Sequence, residues 1–219
     1  MKLLVLCDDL WHPGEAVRRG LSFLADRGDE LDVIMDPKDI VTHEMLREYD
    51  AVIVAKGNAL NGANHTAPWF EDGITWVKPE DYEAYVAEGG AYLALHAGLT
   101  FGPDCPGMMH LNACHMHGHP PQCPVHLHVT NLEHPIMQGV SDFTFPQDEH
   151  YQIELLTDDM TVLFETSSRA GGRYPAGYTR EIGKGRFCAL TPGHNAFAIN
   201  VPEYQKILCN TLDWLTKKI

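Results

Sequence analysis

The stretch Gly89-Gly90-Ala91-Tyr92-Leu93-Ala94-Leu95-His96-Ala97-Gly98 decides the architecture. A glycine pair stops a helical pattern, Ala91 to Leu95 is a short apolar run, and a polar residue then stands among small ones. A continuous apolar run of this length reads as a buried parallel strand, covered on both faces. His96 falls where that strand ends. Ala97 and Gly98 permit a sharp turn there, of the kind a nucleophile elbow uses. In α/β sheets ligands bind beyond the carboxyl ends of the strands. What stands at this tip is an imidazole, not a thiol or a hydroxyl.

Working outward, strands are predicted over Lys2 to Cys7, Leu31 to Met35 and Ala51 to Ala55. Helices are predicted over Glu15 to Arg27, from His43 to Tyr49 behind Thr42 as N-cap, and from Pro79 to Gly89. Strands alternating with helices give an α/β fold, a flavodoxin-like, doubly wound, mostly parallel sheet with helices on both faces. Lys56 to Gly73 and Leu99 to Pro124 lack periodicity and are expected as long loops. Further strands are expected at Val125 to Val129, around Thr144, and at Tyr151 to Leu155, Thr161 to Thr166, Ala176 to Arg180 and Arg186 to Leu190. Lys184-Gly185 reads as a hairpin turn between the last two. A helix from Pro202 to Lys217 closes the chain. No repeat or linker interrupts it, so residues 1–219 read as one domain.

The 219 residues are 44% hydrophobic and 21% charged, enough to bury a single large core. A net charge of −14 argues against nucleic acid and anionic membrane surfaces, which need Lys and Arg patches. It leaves neutral ligands such as sugars, and cations. The opening apolar run is too short for a signal peptide and no run reaches membrane-spanning length, so a cytoplasmic protein is expected. Cys7, Cys188 and Cys209 fall in apolar patterns and read as core residues. Cys105, Cys114 and Cys123 have no CxxC spacing, so neither a disulfide frame nor a zinc knuckle is indicated.

The strand tips carry the chemistry. The first delivers Asp8, Asp9, Trp11 and His12, the third Lys56 and Asn58, the fourth His96, and the late strand Thr191-Pro192-Gly193-His194-Asn195. In a parallel sheet these converge on one cleft. His12, His96 and His194 with a carboxylate would make a site for a divalent metal, zinc or manganese. Without metal, the same imidazoles would serve as general acid and base, with His96, His194 and Glu149 as the catalytic candidates. Glu149 stands in Asp148-Glu149-His150-Tyr151 just before a strand, where it can orient a histidine. Asp9, Trp11, Lys56 and Asn58 are the candidate substrate contacts, and Trp69 and Trp76 could join Trp11 on sugar faces. The plainer alternatives are turn histidines held by backbone and solvated loop charges.

A second concentration lies at His110, His115, His117, His119, His126 and His128. Residues 115, 117 and 119 alternate, as do 126 and 128, so each set shares one face of an extended chain. That spacing suits two-point metal ligation and equally a polar face. No GxGxxG follows the first strand, and there is no GxxxxGK, GxSxG or CxxC. No nucleotide cofactor is expected.

Taken in order, Gly89-Gly90-x5-His96-Ala97, His134-Pro135-Ile136 with Gly139, Asp148-Glu149-x-Tyr151, Gly183-x-Gly185-Arg186 and Pro192-Gly193-His194 resemble the ThuA-like (trehalose utilisation) family. Pro202-Glu203-Tyr204-Gln205-Lys206 running to Leu212-x-Trp214 is similar as well, so the resemblance spans nearly the whole chain. It implies the class I glutamine amidotransferase-like fold, in which a Cys-His-Glu set works at the same topological places. Here His96 occupies the elbow where those enzymes have Cys, so thiol-based glutaminase chemistry is not carried over. His194 falls near the triad histidine, and His12 matches a histidine the family tends to have after its first strand. Phe101 to Pro124 departs from the family pattern. The resemblance implies metabolism of trehalose or a related keto-sugar, with a small-molecule sugar as partner and a homo-oligomer compatible with the fold. A non-catalytic sugar-binding or regulatory module on the same fold is the alternative. A hydrolase using Cys105 or Cys114 is disfavoured, since neither sits at a strand-end elbow.

Overall fold

The computed structural model describes residues 1–9, 11–35, 37, 40–57, 78–103 and 105–219. In chain order the elements are β1 (Lys2–Cys7), α1 (Gly14–Gly20), α2 (Phe23–Asp26), β2 (Glu30–Met35), α3 (His43–Leu46), β3 (Ala51–Ala55), α4 (Pro79–Glu88) and β4 (Ala91–Leu95). Then come α5 (Pro106–Asn112), β5 (Cys114–Gly118), β6 (Cys123–Val129), β7 (Phe143–Asp148), β8 (Gln152–Leu155), β9 (Thr161–Ser168), β10 (Gly171–Ile182), β11 (Gly185–Leu190), α6 (Ala196–Ile199) and α7 (Pro202–Leu215).

The main sheet runs β2-β1-β3-β4-β11-β10-β9-β6-β7. Its first five strands are parallel, and β10, β9, β6 and β7 extend it antiparallel. Alternation along each parallel strand divides the apolar residues between two cores. Leu3, Val5, Ile53, Leu93 and Leu190 face α1 and α7 through Val17, Tyr204, Ile207 and Leu212. Leu4, Leu6, Val52, Val54, Ala94 and Ala189 face α3, α4 and α5 through Leu46, Tyr82, Val86, Met108 and Leu111. Each fully buried Leu, Val or Ile contributes about 1.5–3 kcal/mol by leaving water. Helices on both faces are therefore required by the sequence of the strands. The doubly wound α/β fold is the one expected.

Local signals work as capping rules say. Thr42 Oγ1 accepts from Met45 N at the start of α3. Pro79 opens α4, and Gly89, at φ +130°, closes it. Other boundaries differ from the periodicity. The helix expected over Glu15 to Arg27 is broken into α1 and α2. It breaks after Gly20, where a side chain would meet Ile199 within 2.6 Å, and buried Leu21 turns into the core. The helix behind Thr42 stops at Leu46. The β10–β11 turn is Gly183-Lys184, one residue earlier than expected, because Ile182 pairs with Gly185 and Gly183 takes φ +61°.

The larger correction is Leu99 to Pro124. That segment contains α5 and β5, and β6 begins at Cys123. β5 pairs with β8 in a separate two-stranded ribbon. β5 turns Cys114 and Met116 to the core and His115 and His117 away from it, too short an alternation to stand out among the surrounding glycines and prolines. Lys56 and Gly57 of the expected first loop are described and buried; its remainder, with Asn58, Trp69 and Trp76, lies outside the described residues.

Candidate metal and catalytic site

Register places the carboxyl ends of four parallel strands side by side, with Cys7 opposite Ala55 and Leu95 opposite Leu190. The segments leaving these ends meet over the sheet. His96 follows β4 at φ +45°, a left-handed conformation that costs a residue with a side chain about 1 kcal/mol or more and marks functional turns. Its successors are small because the space is small: a Cβ on Gly98 would stand 2.0 Å from Val54 O. Asn112 of α5 ties the turn down through Nδ2 to Gly98 O at 2.7 Å.

His96 is buried, and its Nδ1 donates to Thr191 O at 2.7 Å. The lone pair of its neutral ring is therefore on Nε2, which lies 3.2 Å from His194 Nδ1 and 3.3 Å from Glu149 Oε2. His12 is fixed in the same sense. Its Nδ1 donates to Asp9 Oδ1 at 2.7 Å, and its Nε2 lies 3.1 Å from the Tyr151 hydroxyl. His194 Nδ1 stands 3.0 Å from Glu149 Oε2. The three imidazoles form a nearly equilateral group, with centroids 5.1, 5.3 and 5.2 Å apart.

The electrostatics divide the site. Burial pushes His96 down to about 4, outweighing the pull of Glu149, so its ring is neutral at pH 7. Burial also opposes charge on His194, but the Glu149 carboxylate outweighs it and raises the imidazole. Burial alone would raise Glu149; the two histidines hold it well below the usual range. Asp148 supports the group from beneath. Its Oδ2 accepts from Gly193 N at 2.8 Å, and its Oδ1 from His194 N at 3.0 Å and Glu149 N at 2.9 Å. Burial pushes its carboxyl up to about 6 against those donors.

These residues fit a metal ion. His12, His96, Glu149 and His194 each present a ligand atom, all within 4.8 Å of one another. Glu149 Oε2 is buried and faces His194 Nδ1 at 3.0 Å and His96 Nε2 at 3.3 Å, a set of atoms that one ion could join. The Asp9–His12 and Thr191–His96 bonds are the outer-shell contacts that orient ligating imidazoles.

Over the group opens a cleft of about 400 Å³, lined among the described residues by Trp11, His12, Thr100, Met116, His119, Glu149, Tyr151 and His194. Trp11 is 65% exposed at its rim. Of the expected substrate contacts, Trp11 is thus in place and two others are not. Asp9 is buried, with Oδ1 taken by Trp11 N, His12 N and His12 Nδ1 and Oδ2 by Gly57 N. It holds His12. Lys56 is fully buried and donates to Asp8 O at 2.7 Å, so it supports the loop after β1.

Three members escaped the sequence reading. Tyr151 stacks on His96 with centroids 4.2 Å apart, Asp148 builds the Gly193-His194 turn, and His119 reaches to 3.6 Å from Glu149 Oε2. The Asp148-Glu149-x-Tyr151 motif was the available signal for the first two. Cys114 opens β5 and is buried, which pushes its thiol up to about 11, and Cys105 stands before α5, so neither follows a parallel strand of the main sheet.

Comparison with known proteins agrees with this fold. A ThuA-like protein from Bacteroides uniformis superposes with a TM-score of 0.75 at 21% identity, over 98% of this chain and 91% of that one. One from Parabacteroides merdae gives 0.79 at 16% identity, over 100% and 90%. A candidate GMP synthase component from Thermoplasma acidophilum gives 0.61 at 16% identity, over 100% and 94%, which fits a glutamine amidotransferase-like fold. No match is found among curated proteins. The profile of the ThuA family, described as trehalose utilisation, matches residues 11–215. The chain belongs to the ThuA family.

Proposed function

We propose that the chain is a metal-dependent enzyme of sugar metabolism, acting on trehalose-related sugars or keto-sugars at the His12–His96–His194–Glu149 centre. The observation that carries this reading is the convergence of four ligand atoms at the strand ends, with the His96 and His194 nitrogens around the buried Glu149 oxygen. A bound zinc or manganese ion would supply a polarised carbonyl or an activated water. The residues do the rest. Thr191 and Asp9 lock His96 and His12 in the tautomers that aim Nε2 inward. Without an ion, Glu149 and His194, which face the cleft, can instead exchange a proton with a bound hydroxyl. Trp11 at the rim offers a face for a sugar ring. The sugar class itself rests on the family's description.

A second reading, acid–base catalysis without metal, is favoured by one observation. His96 is held neutral while its neighbour His194 is raised, a split that assigns base and acid. A sugar-binding module without turnover is the third outcome. Six free thiols, three of them buried, suit the proposed cytoplasmic setting.

The test is turnover of trehalose and its keto derivatives by metal-depleted and by zinc- or manganese-reloaded protein. Activity restored only by metal and abolished in His96→Ala supports the enzyme. Equal activity with and without metal selects acid–base catalysis, and saturable binding without turnover selects the binding module.

A further inference from the structure

The ribbon formed by β5 and β8 carries a second set of ligands that the proposed centre does not use. In β5, His115 and His117 alternate, and β8 brings Glu154 directly opposite His115. A register shift between Met116 and Gly118 leaves His117 without a cross-strand partner. Such bulges bend a strand and re-aim a side chain. Here His117 leans over the neighbouring strand, its Nε2 3.1 Å from Glu154 Oε2. The two imidazoles are 4.7 Å apart, centroid to centroid. His115 is half-buried, and His117 and Glu154 are exposed.

We propose that His115, His117 and Glu154 form a second transition-metal site, suited to zinc. One ligand atom from each lies within 4.8 Å of the others. Zinc bonds of about 2.0–2.2 Å need ligand atoms roughly 3.4 Å apart. His117 and Glu154 are exposed, so small side-chain rotations can bring their ligand atoms to that spacing beside half-buried His115. Two imidazoles and a carboxylate are borderline ligands that favour zinc over magnesium or calcium, and water completes the coordination.

The site has a structural consequence. The ribbon also carries Met116 into the cleft wall and leads to His119 beside Glu149. A metal joining β5 to β8 clamps the strand that supplies this wall. The ribbon has only four paired positions and rests on the core through Cys114 and Ile153, so the metal would fix its outer face.

Equilibrium dialysis of the full chain against zinc tests the proposal, with His117→Gln, His115→Gln, His96→Ala and the control His126→Gln. His126 lies on β6, bonded to Thr144, outside the set. Loss of an outer-shell partner already weakens a metal site about 10–100-fold, so loss of a ligand is expected to weaken it at least tenfold. The expected result is two zinc ions in the wild type, one in each ribbon variant, one in His96→Ala and two in His126→Gln. If the central site binds nothing, the wild type takes up one ion and the ribbon variants none, which still supports this site. Uptake in His115→Gln and His117→Gln equal to wild type, an equal loss in His126→Gln, or wild-type binding only at millimolar zinc overturns it. Far-ultraviolet circular dichroism confirms that these surface variants keep the fold.

Discussion

His96 Nε2 and His194 Nδ1 stand 3.2 Å apart although 98 positions separate them. The contact exists because β4 and β11 are parallel neighbours whose last residues, Leu95 and Leu190, lie in register. β4 releases His96 at once, and β11 releases His194 four residues on, after Thr191-Pro192-Gly193. His96 cannot turn away, since its other nitrogen is bonded to Thr191 O. His194 cannot either, since Asp148 holds its backbone N–H. Glu149 closes the pair from the β7–β8 connection.

Asp9→Asn tests how His12 is held. The carboxylate accepts from His12 Nδ1 and from the loop amides at once; an amide accepts through one oxygen only. Loss of such an outer-shell carboxylate is expected to weaken metal binding about 10–100-fold. Isothermal titration with zinc reads the change, and unchanged affinity would show that Asp9 only shapes the loop.

Gly98→Ala tests the closeness of the elbow. The added Cβ would meet Val54 O at 2.0 Å, and that oxygen belongs to a central strand with no freedom to retreat. Overpacking of this kind costs about 1–3 kcal/mol, which for a chain of this size lowers Tm by roughly 2–10 °C. A thermal melt within a degree of wild type would contradict the packing.

Much of this was legible in the sequence, for physical reasons specific to each part. Buried parallel strands such as Leu3 to Cys7 and Ala51 to Ala55 must be apolar on both faces, so they announce themselves, and parallel strands oblige their tips to share an edge. His12, His96 and His194 could therefore be brought together before any coordinates. The direction in which Asp9 and Lys56 point could not be read. A residue at a strand tip points into the cleft or back under the loop, and only the hydrogen bonds to Gly57 N and Asp8 O show that these two point back. Tyr151 was hidden because a tyrosine in a strand is ordinarily core. β8 was expected as a strand, but its partner β5 was hidden inside a segment whose glycines, prolines and histidines read as a loop.

Asp29 gives a pH dependence away from the site. Burial pushes its carboxyl up, but the Met1 ammonium at 2.8 Å and Arg27 Nε at 2.7 Å outweigh that and hold it below its usual value. A depressed carboxyl contributes stability that is present above its unfolded pKa of about 4 and is lost as pH falls through the folded value. Asp29→Asn should therefore lower Tm at pH 7 and converge with wild type as pH falls below about 4. A difference that persisted unchanged in acid would rule out this ion pair as the cause.

The central claim is that the histidines at the strand ends hold a metal. Elemental analysis of tag-free protein, reloaded with zinc or manganese and dialysed, tests it most directly when done in the His117→Gln background, where the ribbon does not contribute. About one ion per chain is expected, lost in both His96→Ala and His194→Ala. No retained ion, or an ion retained equally in both variants, would contradict the account.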